Sequence, residues 1–365
     1  MDAPAARRGH DWVRHPVQAT VRGMTAPDPQ LGHERADAPA ASVTVGALGE
    51  DAVLARILPR LRSGASALLG AGDDAALVAA ADGRFVVTTD LMVHGPDFRL
   101  AWSTPFELGW KAAATNLTDV AAMGARPTAL VVAIAAPPST DVSVLEGIAD
   151  GLREGLAALA PDAGVVGGDL SASTVLTLAV TAFGDLDGRQ PVLRSGARAG
   201  DVVAHAGARG DAARGLALLF AEATDPMGEP DADLARALRA RQPALIGAQL
   251  APAPPVAAGV VAALAGATAM IDVSDGLARD ARRIAEASGV GIDFEGAALG
   301  PDVRVALAGA EDHGLLAAFP PGTDVPKPFK AIGRVNGASG VVSVDGRPVA
   351  ALGWDPYSGW DGRRG

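Results

Sequence analysis

The sequence predicts a two-domain α/β protein, and three observations carry that expectation. The chain has 365 residues, 49% hydrophobic and 20% charged, which is ample for a sizeable core and suits two domains better than one. Apolar strand-like runs alternate with segments of helical periodicity along most of its length. The turn-rich run Gly184-Asp185-Leu186-Asp187-Gly188-Arg189-Gln190-Pro191 then divides residues 42–188 from 189–365. Residues 1–41, rich in Ala, Pro, Arg and Asp and without an apolar h-region, read as a disordered extension, and Met24 serves equally well as a start.

Taken in order, Gly49-Glu50 opens a helix with Val53, Leu54, Ile57, Leu58 and Leu61 at helical spacing, which Pro59 should kink or shorten. Gly70-Ala71-Gly72-Asp73-Asp74 formally fits a dinucleotide fingerprint, but no strand precedes it and a strand follows, so the fingerprint is discounted. Phe85 to Thr89 reads as a strand ending at Asp90. Thr104-Pro105-Phe106-Glu107 then supplies an N-cap, a first-turn proline and a capping-box glutamate, and Gly124 the C′ residue of a long helix. Asn116 and Asp119, three apart, share one face of it.

Thr128 to Ala136 is a buried strand, and Val144, Leu145, Ile148, Leu152, Leu156 and Leu159 mark an amphipathic helix. A short strand, Gly164 to Val166, leads into Gly167-Gly168-Asp169, and Thr174 to Phe183 alternates as a further strand. Beyond the boundary, Asp201 to Ala206 is a strand, and the loop Gly207 to Asp211 before a helix is an arrangement able to hold an anion. Val256 to Ile271 reads as a helix and a buried strand, too short to span a bilayer at roughly 20 residues. Met270 to Gly276 ends that strand and starts the helix Leu277 to Ser288.

Composition narrows the function. The net charge of −11 argues against a nucleic-acid surface. With no cysteine there is neither a disulfide framework nor a thiolate metal site, which suits a cytoplasmic protein. No G-x-S-x-G, H-E-x-x-H or P-loop occurs, and of the 6 histidines several lie in the N-terminal extension. One pattern does recur, an apolar strand followed by Asp among Gly, Ser or Thr. Asp74, Asp90, Asp169, Asp272 and Asp275 fit it, and Asp119 joins from the helix. Any one of these reads equally as a cap or turn residue. Should they converge, each pair at about 4 Å repels by roughly 4 kcal/mol at an effective dielectric of about 20, so the cluster requires cations. Oxygen-only ligands select Mg²⁺ or Ca²⁺, and incomplete protein shells favour Mg²⁺ shared with phosphates.

The segments GDDAAL at Gly72, TTDLMVHG at Thr88, NLTDVAAMGARP at Asn116, GGD at Gly167, RSGARAGD at Arg194 and DVSDG at Asp272 occur in that order. Together, from about Gly46 to the C-terminus, the chain resembles the thiamine-monophosphate kinases. The resemblance implies an aminoimidazole-ribonucleotide-synthetase-like fold, with an N-terminal α/β domain whose sheet pairs across a homodimer and a C-terminal α/β domain. It also implies ATP-dependent phosphorylation of thiamine phosphate to thiamine diphosphate, with neither membrane nor nucleic acid as a partner. By position, Asp74, Thr88, Thr89, Asp90, Asp119, Asp169, Asp272 and Asp275 would hold Mg²⁺. Gly168, Asp169, Arg194 and Ser274 would contact ATP, and Asp97, Glu311 and Trp360 the thiamine phosphate.

The chain departs from the family pattern on the substrate side. Asp97 replaces the usual His, Ala310 a usual Gly and Leu170 a usual Thr, and Gly362 interrupts the terminal motif. A non-catalytic or re-purposed nucleotide- and Mg²⁺-binding homologue is therefore the alternative reading. A related enzyme on the same fold, such as a selenophosphate synthetase, fits less well because its nucleophilic Cys region is absent.

Overall fold

Thr104 caps the central helix, Pro105–Ala122, as the sequence predicts: its hydroxyl accepts from Glu107 N while the Glu107 carboxylate accepts from Thr104 N, at 3.2 and 2.8 Å. Gly124 follows the C-terminal turn at φ 72°, a conformation that favours glycine. The computed structural model describes residues 43–71, 75–350 and 352–355. The extension 1–41, Asp74, Trp360 and Gly362 lie outside the described residues.

That helix packs on a four-stranded sheet, in the order Val86–Val93, Thr177–Asp185, Arg126–Ala136, Gly164–Ala172. The last two strands are parallel, and the helix Val142–Leu159 makes the crossover between them. Both helices lie on one face and pack closely against each other. Gly147, Gly151 and Gly155 recur every fourth residue and make this approach possible: a Cβ at Gly151 would lie 1.9 Å from the Phe106 carbonyl oxygen.

The opposite face is open. Val87 and Leu91, alternate residues of an edge strand, are 53% and 59% exposed there.

Two strands run further than the sequence suggests. Val86–Val93 continues through Asp90 because all eight residues pair with the strand Thr177–Asp185, so Asp90 lies within the strand and not at its end. Likewise Gly164–Ala172 carries Gly167, Gly168 and Asp169 inside the sheet. Near the N-terminus, Glu50–Ile57 gives way to a 3₁₀ turn at Leu58–Arg60 containing Pro59, in line with the expected shortening.

The rest of the chain builds a seven-stranded sheet, in the order Arg347–Pro348, Val342–Val344, Gly291–Phe294, Lys330–Asn336, Val202–Ala206, Gly314–Phe319, Ala269–Val273. The strand Ala269–Val273 is fully buried and delivers Asp272 to its end. The helix Leu277–Ser288 follows with the predicted bounds. One hydrophobic cluster joins Leu117 and Val120 of the central helix to Met270, Leu315 and Phe319 of this larger sheet. The central helix therefore fixes the edge strand of one sheet against the edge strand of the other.

Candidate active site

A cleft opens where those edge strands meet, lined by Thr88, Asp119, Met123, Arg194 and Asp272 among others, with an empty volume near 490 Å³. Thr88 Oγ1 donates to Asp119 Oδ2 at 2.9 Å, which fixes the carboxylate. Burial first, and then Asp272, push the Asp119 carboxyl up, against the pull of Thr88 and Arg194. Asp272 is raised by burial and by Asp280 and Asp90, and lowered by Ser274 and Arg194. Asp90 shares the strand face of Thr88, and surrounding protein, then Asp119, Glu311 and Asp275, push it up to about 6. Asp275 is gripped by Arg283, whose Nη2 donates to Oδ2 at 2.6 Å. Thr88, Asp90, Asp119, Arg194, Asp272, Ser274 and Asp275 thus gather in one neighbourhood from distant parts of the chain.

Other expected positions fall elsewhere. Thr89 alternates to the open face, and its hydroxyl donates to the Val180 carbonyl at 3.0 Å. Asp169 aligns through Ala133 and Ala179 with Leu91, so it shares the open face and not that of Asp90. Three strand spacings separate the two, about 14 Å. Ser171 Oγ donates to Asp169 at 2.7 Å. Gly168 is held tightly, since a Cβ there would lie 2.0 Å from the Val132 carbonyl oxygen. Gly168 and Asp169 line an apolar groove of about 1370 Å³ beside Leu54, Ile57 and Ile148. Leu170 is buried in the core, so the hydroxyl missing there would have pointed into an apolar interior.

A second cavity, with about 730 Å³ of empty space including its open mouth, is lined by a separate set of residues. Asp97, Lys111, Ala310 and Glu311 line it together with Phe98, Trp102 and Phe220. Glu311 connects the two, because it lines this cavity and its backbone N donates to Ser274 O, in the loop that carries Asp272 and Asp275. Asp97 Oδ2 accepts from Val93 N at 2.7 Å, so it also closes its own turn. Burial of Asp97 outweighs that bond and leaves its pKa raised. Glu311 sits at φ 74° and His313 at φ 52°, both left-handed, whereas Ala310 is not among the positive-φ residues. The strain therefore falls on the glutamate itself and not on the alanine that replaces a usual glycine. Backbone bonds lock this segment to the Asp272–Asp275 loop, with Glu311 N donating to Ser274 O and Trp354 N to Asp275 O.

Sequence reading missed three residues here. Lys111 is only 5% exposed and is salt-bridged to Glu311. The bridge, with His313, outweighs burial and lowers the Glu311 pKa. The available signal was a lysine among the apolar positions of a helix, a residue seldom buried unless paired. Asp280 is fully buried, accepts from Asp275 N at 3.1 Å and pairs with Arg283 Nη1 at 2.6 Å, so both residues hold the Asp275 loop. In a single sequence they read as ordinary helix charges. The supposed anion seat at Gly207–Asp211 is filled by the protein itself: Asp312 accepts from Gly210 N and, at 2.9 Å, from Ala212 N.

The donors in the cleft are all oxygens and all hard, and burial first, with mutual repulsion second, raises the pKa values of Asp90, Asp119 and Asp272, a cost that a cation would relieve. Among the described residues no three His, Asp or Glu groups are close enough to hold a metal unaided.

Comparison with known proteins places the chain. Residues 72–186 match the N-terminal domain of AIR synthase related proteins. A thiamine-monophosphate kinase of Mycobacterium tuberculosis is 44% identical over 352 residues, covering 92% of this chain and 96% of that one. The crystal structure of thiamine-monophosphate kinase from Stenotrophomonas maltophilia K279a superposes with a TM-score of 0.65 at 32% identity, over 82% of this chain and 96% of that one. A structure of AaThiL complexed with AMPPCP and TMP superposes at 0.64 with 29% identity, over 86% and 99%.

Proposed function

The chain belongs to the thiamine-monophosphate kinase family, and on that premise we propose that it transfers the terminal phosphoryl group of ATP to thiamine phosphate, giving thiamine diphosphate. The observation that carries this reading is the junction of two sites at Glu311, an acidic cleft suited to a metal-bound polyphosphate and an aromatic cavity suited to a heterocycle. The direct test is coupled turnover: thiamine diphosphate should accumulate with ATP and thiamine phosphate together, and ATP binding without product would favour the non-catalytic alternative.

The acceptor needs no general base. Its phosphate monoester has a second pKa near about 6 and is largely dianionic at neutral pH. The protein's task is to bring two anions into line. Asp90, Asp119, Asp272 and Asp275, with Asp74, are the groups to hold Mg²⁺, and Thr88 keeps Asp119 oriented through its 2.9 Å bond. When bound, Mg²⁺ would neutralise the transferring phosphates. Arg194, facing the same cleft, adds a fixed positive charge toward them. Lys111, which lines the cavity beside Glu311, is the cation for the acceptor phosphate in this reading. Gly168 and Asp169 offer ATP the apolar groove beside them. Among the described residues no helix is long and apolar enough to cross a membrane, and a cysteine-free chain handling soluble substrates suits the cytoplasm.

The cation reading predicts a pH dependence. Asp90 carries a folded pKa of about 6 against an ordinary 3.8, and Asp119 and Asp272 shift the same way. Groups raised in this sense stabilise the fold when protonated. That contribution is complete below 3.8 and is lost as pH rises through about 6. Cations bind the ionised form. Mg²⁺ should therefore raise the melting temperature clearly near pH 8 and hardly at all near pH 5, while equal shifts at both would remove these carboxylates as the site.

The open sheet face is the surface for a second copy of the chain. Phe85, Val87 and Leu91 present apolar side chains along this edge, with Thr89 between the last two, and are exposed by 59%, 53% and 59%. Leu91→Glu should convert a dimer to a monomer in sedimentation analysis, and a variant that sediments like the wild type would contradict this assignment.

A further inference from the structure

One polar group lining the aromatic cavity has no partner among the described residues. Gln249, from the helix Pro243–Leu250, is 5% exposed, and its Oε1 accepts no hydrogen bond among the described residues. A buried, unpaired amide oxygen is destabilising, so its place beside a cavity points to a donor supplied by a ligand. The neighbouring wall is apolar and aromatic. Trp102 and Phe220 meet edge to face with centroids 5.0 Å apart, flanked by Leu216, Leu219 and Leu250. Such a wall suits a flat ring.

Charge sets which ring goes where. The Arg99 guanidinium lies 4.6 Å from the Trp102 centroid and 4.8 Å from that of Phe220, so a cation already sits over these two rings. Asp97 supplies negative charge to the same cavity, beside the Lys111–Glu311 ion pair. Thiamine phosphate has one cationic ring, the thiazolium, and one neutral ring, the aminopyrimidine. The thiazolium is therefore drawn to the carboxylates and the aminopyrimidine to the aromatic wall and Gln249.

Resting on the acceptor reading above, we propose that Gln249 is a specificity-determining residue that reads the aminopyrimidine edge. Its Oε1 accepts from the exocyclic amine while its Nε2 donates to the adjacent ring nitrogen. A carboxamide pairs with the amine and ring nitrogen of adenine in the same two-point way.

The test compares the wild type with Gln249→Met, a residue of similar shape without hydrogen-bonding groups, at saturating ATP and Mg²⁺. Acceptors are thiamine phosphate and its 4-deamino analogue. The wild type should prefer thiamine phosphate by at least about 10-fold in kcat/KM. Gln249→Met should raise KM for thiamine phosphate by about 10- to 100-fold, leave KM for ATP unchanged and nearly erase the preference. Its ligand-free melting temperature should equal or exceed that of the wild type, because an unpaired buried polar group has gone, whereas a purely structural role would lower it. A preference retained by Gln249→Met, or absent from the wild type, overturns the proposal. A wild type that makes no thiamine diphosphate at all defeats the acceptor reading first, so the two failures are told apart.

Discussion

Asp119→Asn should lower kcat for thiamine diphosphate formation by at least about 10³-fold while leaving the fold intact. The expectation follows from where the carboxylate sits. It stands on the best-defined helix of the chain, it is oriented by Thr88 at 2.9 Å, and it faces Asp272 across the cleft. Asparagine preserves the shape and can still accept from Thr88, but it removes the charge a divalent cation needs. Altering groups that merely support a metal ligand typically costs about 10- to 100-fold, so removing the ligand's charge should cost more. Stability should move the other way. Asp119 and Asp272 repel each other, so the metal-free variant should melt at or above the wild-type temperature. Near-normal product formation by Asp119→Asn would count against the cation assignment.

Glu311→Ala should destabilise the protein by about 3 kcal/mol or more in chemical denaturation, and Lys111→Met by much less. The asymmetry comes from unequal burial. The Lys111 side chain is 6% exposed and that of Glu311 34%. Without Glu311, Lys111 is left as an uncompensated buried cation, whereas without Lys111 the glutamate still reaches water at the cavity. Alanine keeps the Cβ, so the strain at φ 74° is unchanged and does not confuse the comparison. Asp90 and Asp97 gain some relief when Glu311 is removed, but both side chains keep access to solvent, and the relief is smaller than the penalty at Lys111. Both variants should also lose acceptor affinity. Equal destabilisation by the two would mean that the pair is not buried as described.

The parts of this architecture written in local chemistry were legible in the sequence. Thr104, Pro105, Glu107 and Gly124 marked both ends of the central helix, and Gly276 with the periodicity after it placed Leu277–Ser288. What escaped was set by tertiary pairing. Asp90 and Gly167–Asp169 look like chain breaks because Asp and Gly disfavour strands, but the ladder to Thr177–Asp185 and the parallel pairing to Arg126–Ala136 carry them through. The same extension turned Thr89 and Asp169 onto the open face, which no spacing rule could show without knowing the register. Lys111, Asp280 and Arg283 escaped for a different reason: whether a charge is solvated or buried depends on partners hundreds of residues or one helical turn away, and sequence periodicity does not distinguish the two. At Gly207–Asp211 the motif was read correctly as an anion seat, and Asp312 proved to be the anion.

The central claim is that carboxylates from the two sheets converge as a divalent-cation site that carries ATP to the acceptor cavity. Calorimetric titration of the protein with a non-hydrolysable ATP analogue, with and without Mg²⁺, tests it most directly. Tight binding should require Mg²⁺ in the wild type and should be lost in Asp119→Asn. Binding of equal strength without Mg²⁺, or an Asp119→Asn variant that binds as the wild type does, would contradict it.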